Sequence, residues 1–295
     1  SWTMKGALRS ASWPALQWAG TGAFPAAGLS ALRLDHGHRL VDVRFAPRPV
    51  APCERTPWES ECHHVRKVAL GDFCAWLAGE ETAEERLKVL SRESWSGYCA
   101  YQHFEELFPD LEDAGRNVAD FSQLLGVKTP SPSAPTLWLG SAGARTPCHQ
   151  DAYGCNLVAQ IAGEKCWLLF PPEDSKLLGP QRLPFEDSST FTSRDPLAGD
   201  VPEGCSGRRV VIGPGDCLFI PRHWFHAVEC LTPWSLSVNQ WLDMPEDSAE
   251  RVSEAVVRCV ASPLLEDPPE PWWINLDEEL FPLEENVENL AKALS

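Results

Sequence analysis

From Thr136 onward the chain alternates apolar and polar positions with a period close to two, the spacing of strands with one buried face. Thr136-Leu137-Trp138-Leu139 reads as a strand closed by Gly140. Asn156 to Ile161 is a second, Gly163 marks a tight turn, and Lys165 to Phe170 is the returning strand, ended by Pro171-Pro172. A long stretch to about Arg209 carries many acids and no strong pattern, and loops of that length usually have a function or are disordered. Val210-Val211-Ile212 and Cys217 to Ile220 flank the turn Gly213-Pro214-Gly215-Asp216, followed by strands at Trp224–Cys230 and Leu236–Trp241. Many short strands at close spacing predict a mainly β barrel or jelly roll.

The first third is different. Trp13 to Trp18 reads as a turn with aromatic anchors, Ala26 to Leu34 as a short helix, and Leu40 to Phe45 and Val65 to Leu70 as strands. Phe73, Trp76 and Leu77 share one helical face, with Asp72 as the expected N-cap. Glu84–Leu90 and Val118–Leu125 are further helical stretches, a Pro-rich loop covers Ala46–Pro57, and Lys128 to Pro135 breaks regular structure. After Asp243 the period returns to that of a helix. Asp247 to Val260 places Val252, Ala255, Val256, Cys259 and Val260 on one face, Pro263 to Pro271 interrupts, and Leu276 to Leu294 is acidic and amphipathic. The expected organisation is an N-terminal α/β region over 1–94, a β core over 95–245 and a helical extension over 246–295.

Composition narrows the function. At 295 residues and 43% hydrophobic content the chain can bury a sizeable core. A formal charge of −17 disfavours a broad nucleic-acid or anionic-membrane footprint and suits a basic protein segment as partner. No apolar run nears the roughly 20 residues of a membrane span, and the first residues do not read as a secretory signal. The 11 cysteines form no C-x-x-C pair and several lie in apolar strands, which predicts buried, reduced thiols and a cytoplasmic or nuclear protein.

The candidate chemistry sits in Thr146-Pro147-Cys148-His149-Gln150-Asp151. On an extended strand His149 and Asp151 point to the same side. A histidine from Arg222-His223-Trp224-Phe225-His226, 75 residues beyond Asp151, completes a set of two imidazoles and one carboxylate. Such a facial triad with open positions is the mark of non-haem Fe(II) oxygenases. His36, His38, His63 and His64 read as surface or loop residues, because nothing acidic or thiol-bearing is spaced to complete a site there.

These runs, together with Asn156-Leu157-Val158, Lys165-Cys166-Trp167-Leu168-Leu169-Phe170-Pro171-Pro172, Gly213-Pro214-Gly215-Asp216, Trp224-Phe225-His226 and Ser237-Val238-Asn239-Gln240-Trp241, resemble the JmjC family of Fe(II)- and 2-oxoglutarate-dependent oxygenases. The likeness is strong over about residues 95–245. It is greatest to the branch associated with a small heat-shock protein, and next to the small JmjC hydroxylases. The resemblance implies a double-stranded β-helix, a cupin-like JmjC barrel, with flanking N-terminal and C-terminal helices. It implies Fe(II) on His149, Asp151 and His226, with His226 preferred over His223 because the family's distal ligand follows an aromatic and precedes a short apolar pair. It implies 2-oxoglutarate held by Lys165, Thr146 and Tyr98, with Tyr101 the alternative to Tyr98, and Asn156 and Asn239 lining the site. O2 is the remaining reactant. Trp138 and Trp241 are expected in the core.

The activity this implies is hydroxylation of a protein side chain, with succinate and CO2 as co-products. A catalytically silent, partner-binding barrel and a tRNA-modifying JmjC hydroxylase are the alternatives. The intact ligand set and Lys165 argue against the first, the charge against the second. The implied partners are a protein substrate, a basic segment or a small heat-shock protein, and a second copy of the chain through the C-terminal helices.

Overall fold

A computed structural model describes residues 3–19, 26–48, 62–110, 118–126, 135–182, 189–261 and 283–294. The break over 128–134, the interruption over 263–271 and most of the Pro-rich loop lie outside them. Fourteen strands among the described residues form two antiparallel sheets. They are β1 Thr3–Met4, β2 Leu40–Pro47, β3 His63–Ala69, β4 Trp95–His103, β5 Thr136–Ser141, β6 Arg145–Asp151, β7 Cys155–Ala162, β8 Lys165–Phe170, β9 Pro180–Gln181, β10 Ser189–Thr192, β11 Arg208–Ile212, β12 Cys217–Ile220, β13 Phe225–Cys230 and β14 Trp234–Leu242. The larger sheet has the order β1-β12-β7-β14-β5-β4-β2-β3, the smaller β11-β8-β13-β6-β10-β9. This is the jelly-roll architecture the strand spacing predicts.

Two connections depart from the sequence reading. Residues 165–170 do not return beside β7, because β7 belongs to the larger sheet and β8 to the smaller. Gly163, at φ +65°, turns the chain from one sheet to the other, and a Cβ there would lie 2.3 Å from the Trp234 carbonyl oxygen. The turn at 213–216 likewise carries the chain between sheets rather than closing a hairpin. The Gly163 turn thus brings Lys165 to the sheet opposite Asn156.

Alternation along the larger sheet separates two environments. Leu137, Leu139, Leu157, Ala159, Ile161, Leu236 and Val238 face outward into the main apolar core. That core is completed by helices Ala26–His36 and Leu70–Ala78 with Trp13, Trp18, Leu32, Phe73 and Trp76. Trp138, Asn156, Val158, Ser237, Asn239 and Trp241 face the other way, into a cavity between the sheets.

Local details correct several expectations. Helix Leu70–Ala78 starts before Asp72, so Asp72 is not its N-cap. Its carboxylate accepts instead from Thr82 Oγ1 and Ala83 N. The patternless stretch before Arg209 contributes β10, which pairs with β6 in the register Ser189–Asp151, Thr190–Gln150 and Phe191–His149. In helix Asp247–Ala261 the expected apolar face is only partly covered: Ala255 is buried, but Val256 and Val260 are exposed. No helix among the described residues is long and apolar enough to cross a membrane.

Candidate functional site

His149, Asp151 and His226 converge at one point. One potential ligand atom from each lies within 4.8 Å of the others, and the two imidazole centroids are 4.2 Å apart. His149 and Asp151 come from β6, and His226 faces His149 directly on the neighbouring β13. His223 stays outside this cluster. It sits in the turn before β13 at φ +63°, and its Nε2 accepts from Arg222 Nε at 3.1 Å.

Strand parity alone would not place Thr146 on the same side as His149, since they are three apart. A bulge in β6 resolves this. Two steps on β13, from His226 to Val228, match three on β6, from His149 to Thr146. A second bulge, between Cys99 and Gln102 of β4, turns both Tyr98 and Tyr101 to the cavity, with Tyr101 at φ +54°.

The ring tautomers are set by the backbone. His149 Nδ1 lies 2.8 Å from Pro147 O, and His226 Nδ1 lies 3.1 Å from Trp224 O. A carbonyl only accepts, so both Nδ1 atoms carry the proton, the tautomer in which Nε2 is the ligating atom. Burial, with the neighbouring His149, pushes the His226 pKa down to about 4, against the opposing pull of Asp151, so its imidazole is neutral near pH 7. Burial acts to raise the Asp151 carboxyl. The close approach of His149, the nearby His226 and the Trp241 indole N–H outweigh that and hold it at about 2. Trp241 Nε1 donates to Asp151 Oδ2 at 3.0 Å.

Further into the cavity lies Lys165, only 1% exposed. Its ammonium donates to Ser237 Oγ at 2.7 Å and Tyr98 Oη at 3.3 Å. Both partners are neutral, and no carboxylate pairs with Lys165 among the described residues. Burial pushes its pKa down to about 8. Tyr98 is hydrogen-bonded to Thr146, and its phenol is raised well above the usual range, chiefly by burial. Tyr101 instead packs on Trp138, with centroids 4.4 Å apart. Asn156 and Asn239 are hydrogen-bonded to each other at 2.9 Å. Seven of the eight residues expected at the site line this cavity, and Asp151 joins it through the triad.

The donor set suits a divalent metal: two imidazoles with Nδ1 held by the backbone and one ionised carboxylate leave open positions of the facial-triad kind. The rest of the wall suits an anion. Beside Lys165 and the hydroxyls, Trp167 lines the cavity with an indole N–H that is buried and has no hydrogen-bond partner among the described residues.

Some roles were not expected here. Trp138 is buried in a small apolar cluster with Tyr98, Ala144 and Cys230, and Trp241 packs against it, but both also use their indole N–H inside the site. Ser237 shares the parity of Asn239 on β14, a signal the sequence does contain. Phe191 packs 5.8 Å from the His149 ring and comes from the unpatterned stretch, which gave no signal.

Helix Asp247–Ala261 anchors the loops on either side of the triad. Buried Asp247 accepts from Gly154 N at 2.9 Å, three residues past Asp151, and from Met244 N at 2.7 Å. Arg222, four residues before His226, lies 3.6 Å from the other Asp247 oxygen and donates to Glu250 at 2.9 Å. Glu254 of the same helix pairs with Arg182.

Comparison with known proteins agrees with this picture. HSPB1-associated protein 1 of Rattus norvegicus is 40% identical over 231 residues, which cover 75% of this chain and 47% of that protein. Its Danio rerio homolog is 35% identical over 284 residues, covering 93% and 59%. The human bifunctional peptidase and (3S)-lysyl hydroxylase JMJD7 is 32% identical over 165 residues, covering 48% and 50%. The chain spans about half the length of the curated relatives it matches. The model of the cupin-like domain matches residues 34–248, from the end of the first helix through β14, and the chain belongs to this cupin-like, JmjC-type family.

Proposed function

We propose that the chain is an Fe(II)- and 2-oxoglutarate-dependent oxygenase that hydroxylates a side chain of a protein segment. One observation carries this reading: the His149–Asp151–His226 cluster, its imidazoles held by backbone carbonyls, shares a cavity with a buried lysine that has no carboxylate partner among the described residues. Holding Lys165 charged in that site costs about 3 kcal/mol, the worth of its lowered pKa. An unpaired buried cation is retained where an anionic ligand completes it.

His149, Asp151 and His226 would hold the metal. Lys165, Tyr98, Thr146, Asn156 and Asn239 would hold 2-oxoglutarate. Bound together, Fe(II) and 2-oxoglutarate supply the oxidising power for O2-dependent C–H hydroxylation. The chain's own residues do the positioning. Pro147 O and Trp224 O fix the imidazoles, Trp241 fixes the carboxylate, and Val158, Trp167 and Val228 give a dry wall. A net charge of −17 supports a basic protein segment as substrate. The names of the relatives support association with a small heat-shock protein. Exposed Val256 and Val260 support pairing of two chains through the C-terminal helices. Buried thiols outside any disulfide, such as Cys74, Cys217 and Cys230, support a reducing compartment, cytoplasmic or nuclear.

The test is an anaerobic titration with Fe(II), then 2-oxoglutarate, following the visible charge-transfer band of the chelate. The band is expected in the parent, absent in His149→Ala and displaced to much higher 2-oxoglutarate concentration in Lys165→Ala. A folded parent that binds neither metal nor co-substrate would leave a partner-binding barrel as the better description.

A further inference from the structure

Trp138, Asn239 and Asn156 stand on the adjacent strands β5, β14 and β7. Trp138 is opposite Ser237, and Asn156 is opposite Trp241, so each is offset diagonally by two residues from Asn239. Trp138 Nε1 donates to Asn239 Oδ1 at 2.6 Å, and Asn239 Nδ2 donates to Asn156 Oδ1 at 2.9 Å. The direction of this chain is forced. An indole N–H only donates, so it takes the carbonyl edge of Asn239 and leaves the amino edge. That amino edge in turn takes the carbonyl of Asn156. Asn156 is left with its own NH2, for which the described residues provide no acceptor, in the wall of the cavity.

We propose that Trp138 is a positioning residue that acts through Asn239 to lock Asn156 as a hydrogen-bond donor into the cavity. The inference rests on the co-substrate reading above and deepens it: this wall is selective for an anion because the Asn156 amide cannot turn its carbonyl inward. An asparagine without such a lock presents either edge by a half-turn of its amide. Here the half-turn sets two amino groups against each other, or an indole N–H against one.

Two measurements test it together. In ligand-free, 15N-labelled protein the Trp138 indole N–H is expected to exchange slowly and to shift on Asn239→Leu. A resonance that does not move overturns the relay, whatever the protein binds. In the anaerobic titration, Trp138→Phe is expected to weaken 2-oxoglutarate about tenfold, the scale of a hydrogen bond to a charged group, with Fe(II) affinity unchanged. Asn156→Ala should weaken it at least as much, and the double variant no further than Asn156→Ala alone. Additive losses, or weakened metal binding, overturn the proposal, because the tryptophan then acts by packing. Should Trp138→Phe not fold, Asn239→Leu takes its place in the cycle. If the resonance behaves as expected but the metal-loaded parent binds no 2-oxoglutarate, the oxygenase reading fails and the relay's role fails with it, so the two failures are distinguishable.

Discussion

The two faces of the larger sheet are built from the same strands and do opposite work. On β14, Leu236 and Val238 disappear into an apolar core, while Ser237, Asn239 and Trp241 between them line a polar cavity. The outward face stabilises the fold through burial. The inward face carries two asparagines and looks across the cavity at Lys165 and Asp151 of the smaller sheet, polar groups that hydrophobic replacements would outdo in stability. A shift of one residue in register would exchange the two, so each strand's alternation serves both purposes.

Three experiments sharpen this contrast. The largest effect is expected outside. Leu236→Ala, at a fully buried position, should lower stability by roughly 2–5 kcal/mol in urea denaturation and leave the 2-oxoglutarate affinity of the folded protein unchanged. Loss of affinity at full stability would erase the distinction between the faces. Next, Lys165→Met should raise stability, by up to about 3 kcal/mol, and abolish co-substrate binding. A destabilised Lys165→Met would show that the lysine already has a charged partner within the protein.

The smallest effect is one of pH. The folded pKa of Lys165, about 8, lies below its ordinary value of 10.5. Between these the unfolded chain holds the proton and the folded chain does not, so stability rises with pH across that window. The affinity for 2-oxoglutarate should move the other way, level below pH 8 and falling up to about tenfold per pH unit above it as the ammonium is lost. The stability slope should vanish in Lys165→Met, and its persistence there would assign it to another group.

The triad was legible because His149 and Asp151 obey strand parity and His226 sits in a recognisable aromatic run. Lys165 was legible as a cation alternating into an apolar strand. Thr146 and Tyr101 reach the cavity only through bulges, and a bulge is defined by a partner strand far away in the chain. Trp138 and Trp241 look like core residues in a sequence because an indole is mostly hydrocarbon. Their N–H groups acquire a role only when Asn239 and Asp151, about 100 and 90 residues away, are brought beside them. Strand β10 is polar and short, and its place beside β6 comes from the edge it covers rather than from any pattern of its own.

The anchor at Asp247 joins the helix after the barrel to both loops that flank the triad. Reciprocal linkage then governs the pair. Any ligand that draws His149, Asp151 and His226 into one arrangement must tighten the seating of helix Asp247–Ala261 by the same free energy that the seated helix lends to the ligand. Whatever grips that helix from outside is thereby in thermodynamic conversation with the centre of the barrel.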